Sequence, residues 1–199
     1  FLNLNCSLTL KAFMPHTFSS NTALLVIDVQ QSFEHRPYWV EAETREFKTN
    51  IQQLIGFFEQ SNQAIVNIFH VDESPAFQLA SGWVKSMDFL SHTPHAEFYK
   101  HVHNAFTDTG LDLWLRKNKI EHLVISGIRT EQCCETTARV ASDLAYRVSY
   151  ITDATLSFAM THPISLVTYS AQEIKARTEL VLHDRFATIA TTKEFIHAN

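Results

Sequence analysis

The chain has 199 residues and a net charge of −5 without any basic run, so neither a nucleic-acid footprint nor a polybasic membrane-binding segment is expected. A hydrophobic share of 45% with 19% charged residues suits a single globular domain that buries its core without staples. Glycines number only 4, neither G-x-G-x-x-G nor G-x-x-x-x-G-K-[ST] occurs, and no apolar run has the length of a transmembrane helix.

Three cysteines, Cys6, Cys133 and Cys134, make no disulfide framework, which points to a reducing, cytoplasmic setting. The opening "FLNLNCSLTLKAF" lacks the basic n-region and cleavage site of a signal peptide. Residues 1–13 read as an extension outside the core fold, and 14–199 as one domain.

"ALLVIDVQ" (23–30) is a continuous apolar run closed by polar residues, the pattern of a strand buried on both faces of a parallel sheet. Phe47, Ile51, Leu54, Ile55 and Phe58 form one apolar stripe and predict a helix over about 43–60. "AIVNIFHV" (64–71) is a second buried strand, followed by a long aperiodic connection over 72–96 of a length often tied to function. A short strand near 97–100 and a short helix around Leu111–Leu115 come next. "EHLVISGI" is a third strong strand, "TEQCCETTARVASDLAY" a helix over about 131–146 with Thr130 as N-cap, and "RVSYITDA" a further strand. A helix over about 163–182 and the segment "ATIATTKEFI" complete the chain. Alternating strands and helices imply right-handed crossovers, hence a three-layer α/β/α fold on a mostly parallel sheet. Ligands in such sheets bind beyond the carboxyl ends of the strands, which singles out Asp28, His70, Asp72, Lys100 and the turn 127–134.

Asp28 ends an apolar run, where a carboxylate is costly unless paired, although a turn or cap aspartate would look the same. Lys100, at the end of a short strand, reads when taken alone as a solvated surface lysine. The two adjacent cysteines separate by geometry. Cys133 would lie in the first turn of its helix, where the macrodipole favours a thiolate. Cys134, about 100° further round, lines up with Ala138 and Ala141 as packing.

Read together, "ALLVIDVQQSF", "KHVHNAFTDTGLDLWLR" and "LVISGIRTEQCCETTARVASDLAYRVSYITDA" resemble the three signatures of the isochorismatase-like cysteine hydrolases, over roughly 23–196. The family pattern G-x-x-T-x-x-C-[small or V]-x-x-T-A fits Gly127, Thr130, Cys133, Thr137 and Ala138, with Tyr146, Asp153 and Ala154 fitting the strand that follows. The second pattern fits Lys100, Asn104, Ala105, Phe106, Thr109 and Leu111. The resemblance implies a catalytic set of Asp28, Lys100 and Cys133. It also implies a non-proline cis peptide at Ile128–Arg129, with the backbone N–H groups of Arg129 and Cys133 forming an oxyanion hole.

The implied chemistry is metal-independent and needs no cofactor. Cys133 attacks a carbonyl carbon of a small amide, ureido or carbamoyl compound and passes through a thioester. Family nicotinamidases carry a D-x-H…H metal site after the second strand, whereas this chain has "FHVDES", with His70 and Asp72 in reversed order. The local cluster His92, His95, His101 and His103 lacks partners at zinc spacing and reads as solvated. Phe33 and Trp39 are candidate pocket walls, and Arg129 or Arg36 a candidate carboxylate anchor, each with ordinary packing or surface charge as the plain alternative. Trp83 in the long connection is a candidate lid or a contact to a neighbouring subunit, with ordinary packing as the plain alternative. The resemblance further implies a homo-oligomer acting on a small molecule. Two other readings stay open: hydrolysis of an isochorismate-like vinyl ether, which needs no cysteine nucleophile, and a non-catalytic small-molecule binder of the same fold.

Overall fold

The computed structural model describes residues 21–199; the 1–13 extension and Cys6 lie outside the described residues. Strand β1 (Thr22–Ile27) runs down the middle of a six-stranded sheet whose other members are β2 (Ala64–His70), β3 (Ala96–Lys100), β4 (His122–Ile128), β5 (Arg147–Leu156) and β8 (Thr188–Ala190). Their order is β3-β2-β1-β4-β5-β8, and every neighbouring pair is parallel.

Side chains alternate across each strand. In β1, Ala23, Leu25 and Ile27 join one hydrophobic cluster, while Leu24 and Val26 join the other. Helices α1 (Arg45–Gln60) and α5 (Thr192–Ala198) cover the second face, α1 burying the predicted stripe Phe47, Ile51, Leu54, Ile55 and Phe58. Helices α2 (Leu111–Lys117), α3 (Glu135–Asp143) and α4 (Ala171–Leu182) cover the first through Leu111, Leu115, Ala138, Ala141 and Leu182. Each large apolar side chain removed from water in this way contributes about 1.5–3 kcal/mol before conformational entropy is subtracted. The three-layer α/β/α arrangement therefore follows from an apolar sheet that must be covered on both sides.

The chain leaves β1 toward β2 and β3 in one direction and returns on its other side as β4, β5 and β8. The sheet's topological switch thus falls between β1 and β4, the place where ligands of such sheets bind, beyond the carboxyl ends.

Two predicted helices are shorter than expected. In place of a helix from 163, β6 (Met160–Thr161) pairs antiparallel with β7 (Thr168–Tyr169), and α4 begins only at Ala171. Local side-chain bonds outcompete the helix. The ring Nδ1 of His162 accepts from the N–H groups of Ile164 and Ser165, and Ser170 with Glu173 forms a reciprocal capping box that fixes the true start. The helix expected over 131–146 opens as a wide π-type turn, Thr130–Cys134, and ends at Asp143. Thr130 does not cap it; its hydroxyl is hydrogen-bonded to that of Thr155 at 2.7 Å. Beyond Asp143 the chain turns at Ala145, which has a left-handed φ of 69°. Among the described residues no helix is long and apolar enough to cross a membrane.

Candidate active site

Three strand ends build the site. Asp28 follows β1 with φ 54°, a left-handed conformation that aspartate tolerates better than most residues, and its N–H donates to the Ile68 carbonyl at 2.7 Å. Gly127, in β4, has φ 127°, and a Cβ there would overlap the Ile27 carbonyl, so β1 and β4 reach this close approach only because position 127 is glycine. The peptide Ile128–Arg129 is cis, as the sequence resemblance implied. The π-type turn then carries Cys133 back over the sheet, held by Tyr150, whose hydroxyl donates to the Thr130 carbonyl at 2.7 Å. From the opposite side the Thr137 hydroxyl accepts from the Ala105 N–H at 3.1 Å, fastening the segment after β3 to α3.

Lys100, at the end of β3, is the hub. Its Nζ lies 2.8 Å from Asp28 Oδ2 and 3.2 Å from Cys133 Sγ. It also donates to the Val102 carbonyl at 3.2 Å and stands 3.1 Å from His70 Nδ1. Asp28 and Lys100 are fully buried and Cys133 is 6% exposed. Burial pulls the Lys100 pKa down, but the negative charge of Asp28 and the neighbouring Cys133 more than offset it, so the ammonium is held above its ordinary value. For Cys133, burial and then Asp28 push the thiol far above the ordinary range, and Lys100 offsets this only in part. The resting group is therefore a thiol between a carboxylate and an ammonium. This corrects the expectation of a thiolate stabilised by a helix N-terminus: desolvation and the facing carboxylate outweigh that effect, and the turn at Cys133 is not a regular first turn of α-helix.

Cys134 is fully buried in the same cluster as Ala138 and Ala141, in line with the small-residue face read from the sequence. The other candidates lie around the carboxyl ends. Phe33 is buried edge-on to Phe77 at 5.1 Å. Trp39 is half-buried 6.1 Å from Phe158, and its indole N–H donates to Glu41. The guanidinium of Arg129 packs over the adjoining rings of Tyr38 and Phe158, 5.4 Å from each, and is paired with Glu131 at 3.0 Å. Arg36 stands over the same Tyr38 ring, 5.7 Å from its centre. Trp83 stacks on His35.

The four clustered histidines separate in space. His92 is hydrogen-bonded to Asn67 at 2.8 Å, His95 accepts from the Ile65 N–H, His101 meets the Val71 carbonyl, and the His103 ring lies 6.4 Å from that of His70. Two cavities, of about 260 and 890 Å³, open elsewhere on the molecule, and neither is lined by Asp28, Lys100 or Cys133.

Sequence reasoning missed Gln30, which is fully buried and grips the backbone of His70: its Oε1 accepts from the His70 N–H at 2.7 Å and its Nε2 donates to the His70 carbonyl at 3.0 Å. The available signal was a second polar side chain, two residues after Asp28, closing an apolar strand. Tyr38, Glu131 and Phe158 were missed as well. They meet only through the fold, and no spacing along the chain links them.

Comparison with known proteins is consistent with this geometry. The isochorismatase domain model matches residues 22–194. The chain is 29% identical over 184 residues to the uncharacterized isochorismatase family protein YrdC of Bacillus subtilis, covering 88% of this chain and 94% of that protein. It is 28% identical over 156 residues to nicotinamidase 3 of Arabidopsis thaliana, covering 70% and 75%. Among solved structures, a cysteine hydrolase from Pseudomonas syringae pv. phaseolicola superimposes with a TM-score of 0.80 at 21% identity, over 90% of this chain and 92% of that one, a likeness of fold.

Proposed function

The chain belongs to the isochorismatase family of hydrolases, and on that premise we propose that it is a metal-independent cysteine hydrolase cleaving the C–N bond of a small amide, ureido or carbamoyl compound. The observation that carries this reading is the buried contact of one ammonium with both a carboxylate and a thiol, Lys100 Nζ to Asp28 Oδ2 at 2.8 Å and to Cys133 Sγ at 3.2 Å. Two opposite charges and a nucleophile held out of water are costly to assemble, and a site needs them where a proton must move. Likeness to a nicotinamidase supports an amide as the bond attacked.

In the proposed reaction Asp28 takes the Cys133 proton as sulfur attacks the carbonyl carbon, and Lys100 stabilises the emerging thiolate. The oxyanion is received by the backbone N–H groups of Arg129 and Cys133, at about 10²–10³ in rate per donor. Asp28 then returns the proton to the leaving nitrogen, and the C–N bond breaks to give a thioester. Water, deprotonated by Asp28, hydrolyses the thioester and restores the thiol. The raised thiol pKa fits this order, because proton transfer accompanies attack rather than preceding it. Phe33, Trp39 and Arg129 are the proposed substrate contacts. Since Arg129 is already neutralised by Glu131, the rim suits an uncharged group as well as a carboxylate.

An ammonia-release screen across primary amides, ureido acids and carbamoyl compounds tests the reading, with intact-mass detection of an acylated Cys133. Turnover that vanishes in Cys133→Ala is expected. Full activity in that variant would overturn the cysteine mechanism, and turnover of vinyl ethers alone would replace the C–N assignment.

A further inference from the structure

The sequence singled out His70 and Asp72 as strand-end residues in the wrong order for a family metal site, and the mechanism above leaves both unused. In the structure they form a chain that ends on Lys100. Asp72 Oδ2 lies 3.3 Å from His70 Nε2, and His70 Nδ1 lies 3.1 Å from Lys100 Nζ. Asp72 is itself fixed, its other oxygen accepting from the N–H of Ser74 at 2.7 Å and from the Ser74 hydroxyl. Gln30 clamps the His70 backbone on both its N–H and its carbonyl, and the edge of Phe77 flanks the ring at 5.8 Å.

An ammonium has N–H groups only to donate and a carboxylate can only accept, so these contacts settle the tautomer of the ring between them. Nε2 carries the proton and gives it to Asp72, and Nδ1 is left as an acceptor facing Lys100. Lys100 then has acceptors in Asp28, Cys133, Val102 and His70 at 2.8–3.2 Å for the three N–H bonds of an ammonium. Val102 and His70 do no chemistry, and their effect is to fix the rotation of the ammonium.

We propose that His70, oriented by Asp72, is a positioning residue that holds the Lys100 ammonium in register with Asp28 and Cys133. This inference rests on the cysteine-hydrolase reading for its meaning in turnover, but the placement of Lys100 can be measured without any substrate. The groups facing His70 are Lys100 on β3, Asp28 after β1, Asp72 after β2 and the His103 ring beyond β3. Burial and then Lys100 hold the His70 cation below its ordinary pKa, against the weaker opposing pull of Asp28 and Asp72, so the ring stays a neutral acceptor at neutral pH. Protonation at lower pH removes the acceptor and sets a second cation against Lys100.

Three measurements test this. Imidazole ¹⁵N NMR of the wild-type chain is expected to show His70 as the Nε2–H tautomer at pH 7. The Nδ1–H tautomer, or a doubly protonated ring at that pH, would overturn the proposal. Alkylation of Cys133 by iodoacetamide between pH 5 and 9, followed by peptide mass, is expected to slow on the order of 10²-fold in His70→Leu through misplacement of Lys100. In His70→Asn, which keeps an oxygen near the Nδ1 position, the rate should largely recover while the acid inflection of wild type disappears. Equal alkylation and equal pH profiles in all three proteins would sink the positioning role. If the alkylation pattern holds but no amide, ureido or carbamoyl compound is turned over, the hydrolase reading fails and the positioning role stands.

Discussion

The floor of the site and its rim each hold an ion pair, and the two pairs live in different environments. On the floor, Asp28 and Lys100 are fully buried and share their space with a thiol. On the rim, the side chains of Arg129 and Glu131 keep 15% and 10% of their surface, and the guanidinium packs over two adjoining aromatic rings. A charge on the dry floor has no water to fall back on, so either partner becomes a liability if the other is removed. A charge on the rim has π-faces and some solvent as substitutes. Floor residues should therefore govern whether the protein folds and reacts at all, and rim residues which compound it prefers.

Breaking the floor should have the largest effect. Lys100→Met leaves Asp28 buried without its partner, and a loss of about 3–5 kcal/mol is expected in urea denaturation together with loss of turnover. Adding Asp28→Asn to that variant should restore part of the stability and none of the activity; a double variant as unstable as the single one would contradict the pairing argument. Cys133→Ala should keep the fold and reduce hydrolysis by at least ~10³-fold, as loss of a nucleophile does elsewhere. On the rim, Arg129→Ala should change KM by about tenfold, equivalent to ~1.4 kcal/mol, with a smaller change in kcat. A collapse of kcat would move Arg129's side chain from the rim to the floor. Cys134→Ala should leave turnover near wild type and cost ~1 kcal/mol of packing.

The two cysteines also predict an alkaline limit to stability. Burial pushes both thiols above their ordinary values, first by desolvation and then by neighbouring negative charge. The folded chain thus resists ionisation while the unfolded thiols ionise near ~8.5. The contribution is complete below that pH and falls as pH rises above it, because the unfolded state alone then loses protons. Urea midpoints at pH 8 and 10 should separate by less in Cys134→Ala than in wild type. The smallest effect expected is that of Trp39→Phe, which removes one exposed bond to Glu41 and keeps the ring beside Phe158.

Much of the frame was legible in sequence because its signals are periodic. The apolar runs that became β1, β2 and β4 and the stripe of α1 each specify an element and its buried face with no information from elsewhere. Legibility failed where short-range polar chemistry competes with periodicity. The residues from 163 onward hold Ile164, Leu166 and Val167 and read as the start of a helix, yet His162 and the Ser170–Glu173 box divert the backbone into a hairpin, leaving Ile164 87% exposed. Thr130 looked like a cap and is instead tied across to Thr155.

The site divides in the same way. Sequence alone established which residues stand at strand ends, and likeness to a family named Asp28, Lys100 and Cys133 among them. It also separated Cys133 from Cys134, since neighbours on a helical turn face different directions. Only the tertiary structure could decide the protonation states and the second layer. The thiol is raised rather than lowered because burial and Asp28 act on it together, and Asp28 lies 105 residues away in the chain. The links from Asp72 through His70 to Lys100, and from Tyr38 and Phe158 to Arg129, are likewise contacts between distant segments. Periodicity encodes the face a residue presents, but the dielectric and partners it meets there depend on every strand that converges on the same edge of the sheet.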